Sequence, residues 1–65
     1  MWKYYHSLVK SLEDNGYAIM YSSCGDKYMS TCLRLRDRVA VVVVSFDEKK
    51  VTFSIDSILK EVRRF

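Results

Sequence analysis

The chain has 65 residues, 49% of them hydrophobic and 29% charged, with two glycines and no proline. That apolar content excludes a disordered chain, and the short length excludes a second domain and a deep enzyme-type cleft, because a domain this small buries only about 60% of the surface its unfolded form exposes. Eleven Lys and Arg against eight Asp and Glu give a formal charge of +3 at pH 7, a modest excess scattered along the chain rather than gathered into a basic block.

The first residues carry apolar side chains at Trp2, Tyr5, Leu8, Val9 and Leu12, the spacing of an amphipathic helix over Trp2 to Asp14. Lys3, His6, Lys10, Glu13 and Asp14 fall on its outer side. Asn15-Gly16 then ends the helix with residues that accept a left-handed backbone. From Tyr17 onward β-formers dominate, broken at Cys24–Lys27, Arg36-Asp37 and Asp47–Lys50. Four strands are expected, near residues 17–23, 28–35, 38–46 and 50–54, joined as antiparallel hairpins because the connections are too short for parallel crossovers. The last segment returns to helical spacing with Ile55, Ile58, Leu59, Val62 and Phe65 on one stripe, Ser54 or Asp56 at its start and Arg63-Arg64 at its negative pole. The expected architecture is therefore one α+β domain over residues 1–65, helix, four-stranded antiparallel meander, helix (αββββα), with both helices on one sheet face.

Residues opposite one another across an antiparallel pair share a face. Two-residue turns at Gly25-Asp26, Arg36-Asp37 and Glu48-Lys49 place Ala18, Met20, Met29, Leu33, Leu35, Ala40, Val42, Val44, Phe46, Val51, Phe53 and Ile55 on the core face. The other face then carries Tyr17, Ile19, Tyr21, Tyr28, Ser30, Cys32, Arg34, Val39, Val41, Val43, Ser45, Thr52 and Ser54. A three-residue first turn would exchange Tyr17 and Tyr21 for Ala18 and Met20.

That second face mixes tyrosines, β-branched aliphatics and an arginine, the composition of a surface that meets a partner. Tyr17, Tyr21, Arg34, Val41 and Val43 are the candidate partner-binding residues, for another protein or a second copy of the chain. The alternative is a small basic nucleic-acid binder that stacks bases on the tyrosines and contacts phosphates through Arg34, Arg36, Arg38, Lys60, Arg63 and Arg64. Neither His6 nor the cysteines sit in an activating motif, so an enzyme is not expected. Cys24, Cys32 and one histidine are too few for a four-ligand zinc site, and no cofactor is implied. Two cysteines in so small a chain suit a reducing compartment, with a Cys24–Cys32 bridge as the lesser reading. The longest apolar run, Val39 to Val44, falls far short of a membrane span, and the first residues lack the apolar stretch of a signal peptide, so a cytoplasmic protein without membrane partners is expected. A non-enzymatic protein-binding module of this size resembles in emptiness and economy the inhibitors that viruses and mobile elements direct at host proteins.

Overall fold

Helix α1 spans Trp2–Asp14 and buries Tyr5, Val9 and Leu12, one turn apart on a single stripe as their spacing requires. In this computed structural model, which describes residues 1–65, the helix ends in the paired bonds of a Schellman motif. The amide of Gly16 donates to the Glu13 carbonyl at 2.9 Å and that of Tyr17 to the Leu12 carbonyl at 3.0 Å. Gly16 takes φ +99° there, a conformation cheap only for glycine.

Five antiparallel strands follow, β1 (Ala18–Cys24), β2 (Tyr28–Leu35), β3 (Arg38–Ser45), β4 (Lys50–Ile55) and β5 (Ile58–Arg64), arranged in chain order as one meander. The helix lies across one face of this sheet. All eight buried apolar residues belong to that interface: Tyr5, Val9 and Leu12 above, Leu33, Ala40, Val42, Val44 and Val51 below. The Tyr5 hydroxyl reaches through this layer to Oγ1 of Thr31 at 2.5 Å, and Thr31 in turn bonds Ser22 Oγ at 3.2 Å. A polar group so deeply placed is thereby satisfied on both sides.

The C-terminal segment corrects the expected αββββα order: it is a fifth strand rather than a second helix. Asp56 and Ser57 both have positive φ, 53° and 66°, which is the backbone of a two-residue hairpin turn between Ile55 and Ile58. Asp56, expected to cap a helix, is committed elsewhere. Its amide donates to the Val39 carbonyl at 2.8 Å and its Oδ1 accepts the Val39 amide at 3.0 Å, so it closes the end of β3 and directs the chain back along β4.

The helical spacing of Leu59 and Val62 has a different origin. Ser54 pairs with Leu59 and Phe53 with Glu61, leaving Lys60 as a bulged residue. One extra residue puts side chains three apart on the same face of a strand. Both edge strands are built this way, since Ile19 pairs with Leu33 and Tyr21 with Cys32, leaving Met20 bulged in β1.

The expected β2–β3 register stands, with Leu33 opposite Ala40 and Thr31 opposite Val42. The β3–β4 register is displaced by two residues, Val44 facing Val51 and Val42 facing Phe53, which moves partners and keeps faces. In the first hairpin the Gly25 amide bonds the Tyr28 carbonyl at 2.8 Å, so the turn residues are Asp26-Lys27. That two-residue displacement keeps Tyr21 on its expected face, and the Met20 bulge then reverses everything before it. Ala18 lies opposite Arg34 on the uncovered face, Ile19 opposite Leu33 on the helix face, and Met20 is exposed.

The turn at Asp56-Ser57 supplies a direct test. Replacing Ser57 with Gly removes a left-handed Cβ and is expected to stabilise the fold by about 1 kcal/mol, read as a higher midpoint in urea. A helical C-terminal segment would respond with a loss of similar size, because glycine is the poorer helix former.

Candidate functional site

One helix covers one face, and the opposite face of all five strands is left without a covering element. Its rows follow from the pairings. Tyr21, Cys32, Val41, Ser54 and Leu59 form one row across the sheet, and Ser23, Ser30, Val43, Thr52 and Val62 the next. Ala18, Arg34 and Val39 lie beyond the first row, while Tyr28, Ser45, Lys50 and Arg64 lie beyond the second. Cys32, Val41 and Val43 at the centre are half-buried by their neighbours, whereas Tyr21 is 62% and Tyr28 54% exposed. The face is thus an aliphatic and hydroxyl floor with two raised tyrosines on the β1–β2 side.

Four of the five expected partner-binding residues, Tyr21, Arg34, Val41 and Val43, share this surface. Tyr17 does not join them. It is half-buried and packs against the helix-side core, because the Schellman motif binds its amide to Leu12 and folds its side chain back over the apolar stripe it has just left. Leu59 and Val62 belong to the face and were assigned to a core stripe by their helical spacing. The bulge at Lys60 is what brings them here, and three-residue spacing in an eight-residue segment does not by itself distinguish a bulged strand from a helix.

The basic residues expected to contact nucleic acid are dispersed. Arg36 occupies the β2–β3 turn with φ 56°, and Arg38 pairs with Leu35 at the helix-side end of the same hairpin. Lys60 protrudes at the β5 bulge. Arg63 lies on the helix side, its guanidinium carbon 4.9 Å from the Tyr4 ring centre and 5.4 Å from that of Phe65. Besides Arg34, only Arg64 of these residues lies on the uncovered face, opposite Lys50. Lys50 itself is held by Glu48 at 2.7 Å, and the hydrogen bond and charge of that lysine keep the Glu48 carboxyl below its usual pKa.

Cys32 sits in the face between Tyr21 and Val41, while Cys24 pairs with Met29 on the helix side. Both thiols are free, and their opposite faces rule out a bridge between them without refolding the hairpin. His6 stands on the outside of α1 with its ring 5.1 Å from that of Tyr5, beside a shallow cleft between α1 and β1 that Lys10, Glu13 and Ile19 also line. No helix of the chain is long and apolar enough to cross a membrane. Comparison with protein-family models, curated proteins and solved structures finds no match to this chain.

The cluster that holds Arg63 generates a test of the helix-side packing. The Tyr4 hydroxyl is enclosed with no hydrogen-bond partner, and its pKa is raised by burial first and by the neighbouring Glu61 second, with Arg63 opposing. A folded-state pKa above the unfolded one means that this contribution to stability is complete below about pH 10 and is lost as pH rises through the folded value. Replacing Tyr4 with Phe is expected to be neutral or to stabilise by up to about 1 kcal/mol at pH 7, and to reduce the loss of melting temperature above about pH 10. Thermal melts of both proteins across that range check it; parallel curves would contradict the enclosed phenol.

Proposed function

We propose that this chain is a non-enzymatic binding module that docks a protein partner on the uncovered face of its sheet. The observation that carries the reading is the asymmetry of the two faces: an apolar, β-branched floor of five strands, centred on Val41 and Val43, has nothing of the chain's own packed on it. In a sheet with one face in water the outward positions are ordinarily polar and charged. Here the central strand contributes Val39, Val41 and Val43 to that side, and β5 adds Leu59 and Val62. Contiguous exposed apolar surface of this kind marks contact sites, and raised tyrosines beside an arginine are the residues that most often dominate binding energy.

The edges of the sheet suit the same reading. Bulges at Met20 and Lys60 interrupt the regular hydrogen-bonding rows of β1 and β5, a device that discourages strand addition. Association through the face leaves those edges alone. An inhibitor of the viral or mobile-element kind is one form such a module takes, and it makes the same demands on this surface.

The experiment is retention of a partner from an extract of cells that express the chain, with wild type, Val41→Glu and Lys10→Glu immobilised in parallel. A carboxylate at the centre of the face is expected to weaken retention at least about tenfold. The far-UV spectrum should be kept, and Lys10→Glu on the outer side of α1 should bind as wild type does. Retention by Val41→Glu of everything that wild type retains would refute the reading.

A further inference from the structure

The uncovered face carries an excess of positive charge. Its paired positions hold Arg34, Lys50 and Arg64 and no Asp or Glu at all, whereas the helix face includes Glu61. The chain's single ion pair within 4 Å joins Lys50 to Glu48, and the charge of Arg64 acts on the same carboxylate, so one carboxylate serves two cations at that corner while Arg34 has no ion pair at the other. Both arginines are exposed. Arg34 is steadied at its end of the sheet by a 2.6 Å bond from Nε to the Arg36 carbonyl. The two arginines mark opposite corners of the apolar rows: six residues along the strands and three strands across separate them, about 25 Å by ordinary strand dimensions.

We infer that the partner docked on this face presents an apolar protein segment flanked by carboxylates, one set meeting Arg34 and the other Arg64. The inference rests on the reading of the face as the docking surface and adds the chemistry of its occupant. Cations in excess of carboxylates at the rim of an apolar patch give orientation and association rate, and they discriminate against partners of the same sign. A second copy of this chain fits poorly, because the carboxylate at the Lys50 and Arg64 corner of its face, Glu48, is already held by its own Lys50. A nucleic-acid strand fits poorly too. Its phosphates need cations along the track, and between Arg34 and Arg64 lie two complete rows without a charged side chain.

The test is selection from a displayed library of random peptides of roughly 16 residues, long enough to span the distance as a helix. Wild type, Val41→Glu and the double variant Arg34→Glu/Arg64→Glu are screened together, with mixed-sequence single-stranded RNA and DNA as separate probes. Thr52→Glu replaces Val41→Glu if the latter unfolds. Peptides with Asp or Glu on both sides of an apolar core, lost with Val41→Glu and bound at least about tenfold more weakly by the double variant, are the expected result. Peptides that need Val41 yet show no acidic excess, or bind the double variant undiminished, would overturn the inference and leave the docking face standing. Oligonucleotide binding that displaces the peptides would overturn it in favour of nucleic acid. Absence of enrichment, or enrichment indifferent to Val41→Glu, would remove the docking face itself and the inference with it.

Discussion

The structure depends on the contact between one amphipathic helix and one side of a five-stranded sheet. Tyr5, Val9 and Leu12 descend onto Leu33, Ala40, Val42, Val44 and Val51, and no apolar residue outside this layer is fully buried. A chain of this length orders its backbone at a cost of roughly 1–2 kcal/mol per residue, so the layer must be closely packed and its one deep polar group, Thr31, must be bonded. The one helix lies on this side, and the other side of the sheet has no element packed on it. The uncovered surface is thus a consequence of the core rather than an addition to it.

Where local pattern and tertiary context agree, the elements are legible from residues alone. The helix over Trp2–Asp14, its end at Asn15-Gly16 and the Leu33–Ala40 register all follow from spacing and turn chemistry. Context overrides pattern at the two edges. Each edge strand contains one extra residue, Met20 or Lys60, and a bulge gives a strand the three-residue recurrence that otherwise signals a helix. Ile58, Leu59 and Val62 therefore read as a helical stripe, although Leu59 and Val62 point to one face and Ile58 pairs on the other. Nothing in the local pattern shows that Asp56 spends its side chain on the Val39 amide instead of a helix N-terminus.

The candidate site was legible in the middle and obscure at the margins for the same reason. Val41, Val43 and Arg34 lie on strands without bulges, where alternation alone assigns the face. Tyr17 lies beyond the Met20 bulge and beside a helix cap, and both act to turn it inward. The gain of Leu59 and Val62 compensates in area for its loss, and it shifts the apolar floor from β1 toward β5. With the other basic residues scattered over turns, the helix side and the bulge, the cations that remain on the face are Arg34, Lys50 and Arg64.

On the reading proposed above, this face is free in the isolated chain and reserved for a partner of different chemistry. Light scattering across protein concentration at moderate salt tests it most directly. The expected mass is that of one chain, 7.7 kDa, at every concentration. A stable species of twice that mass that returns to one chain in Val41→Glu would show the face already covered by a second copy, and would contradict it.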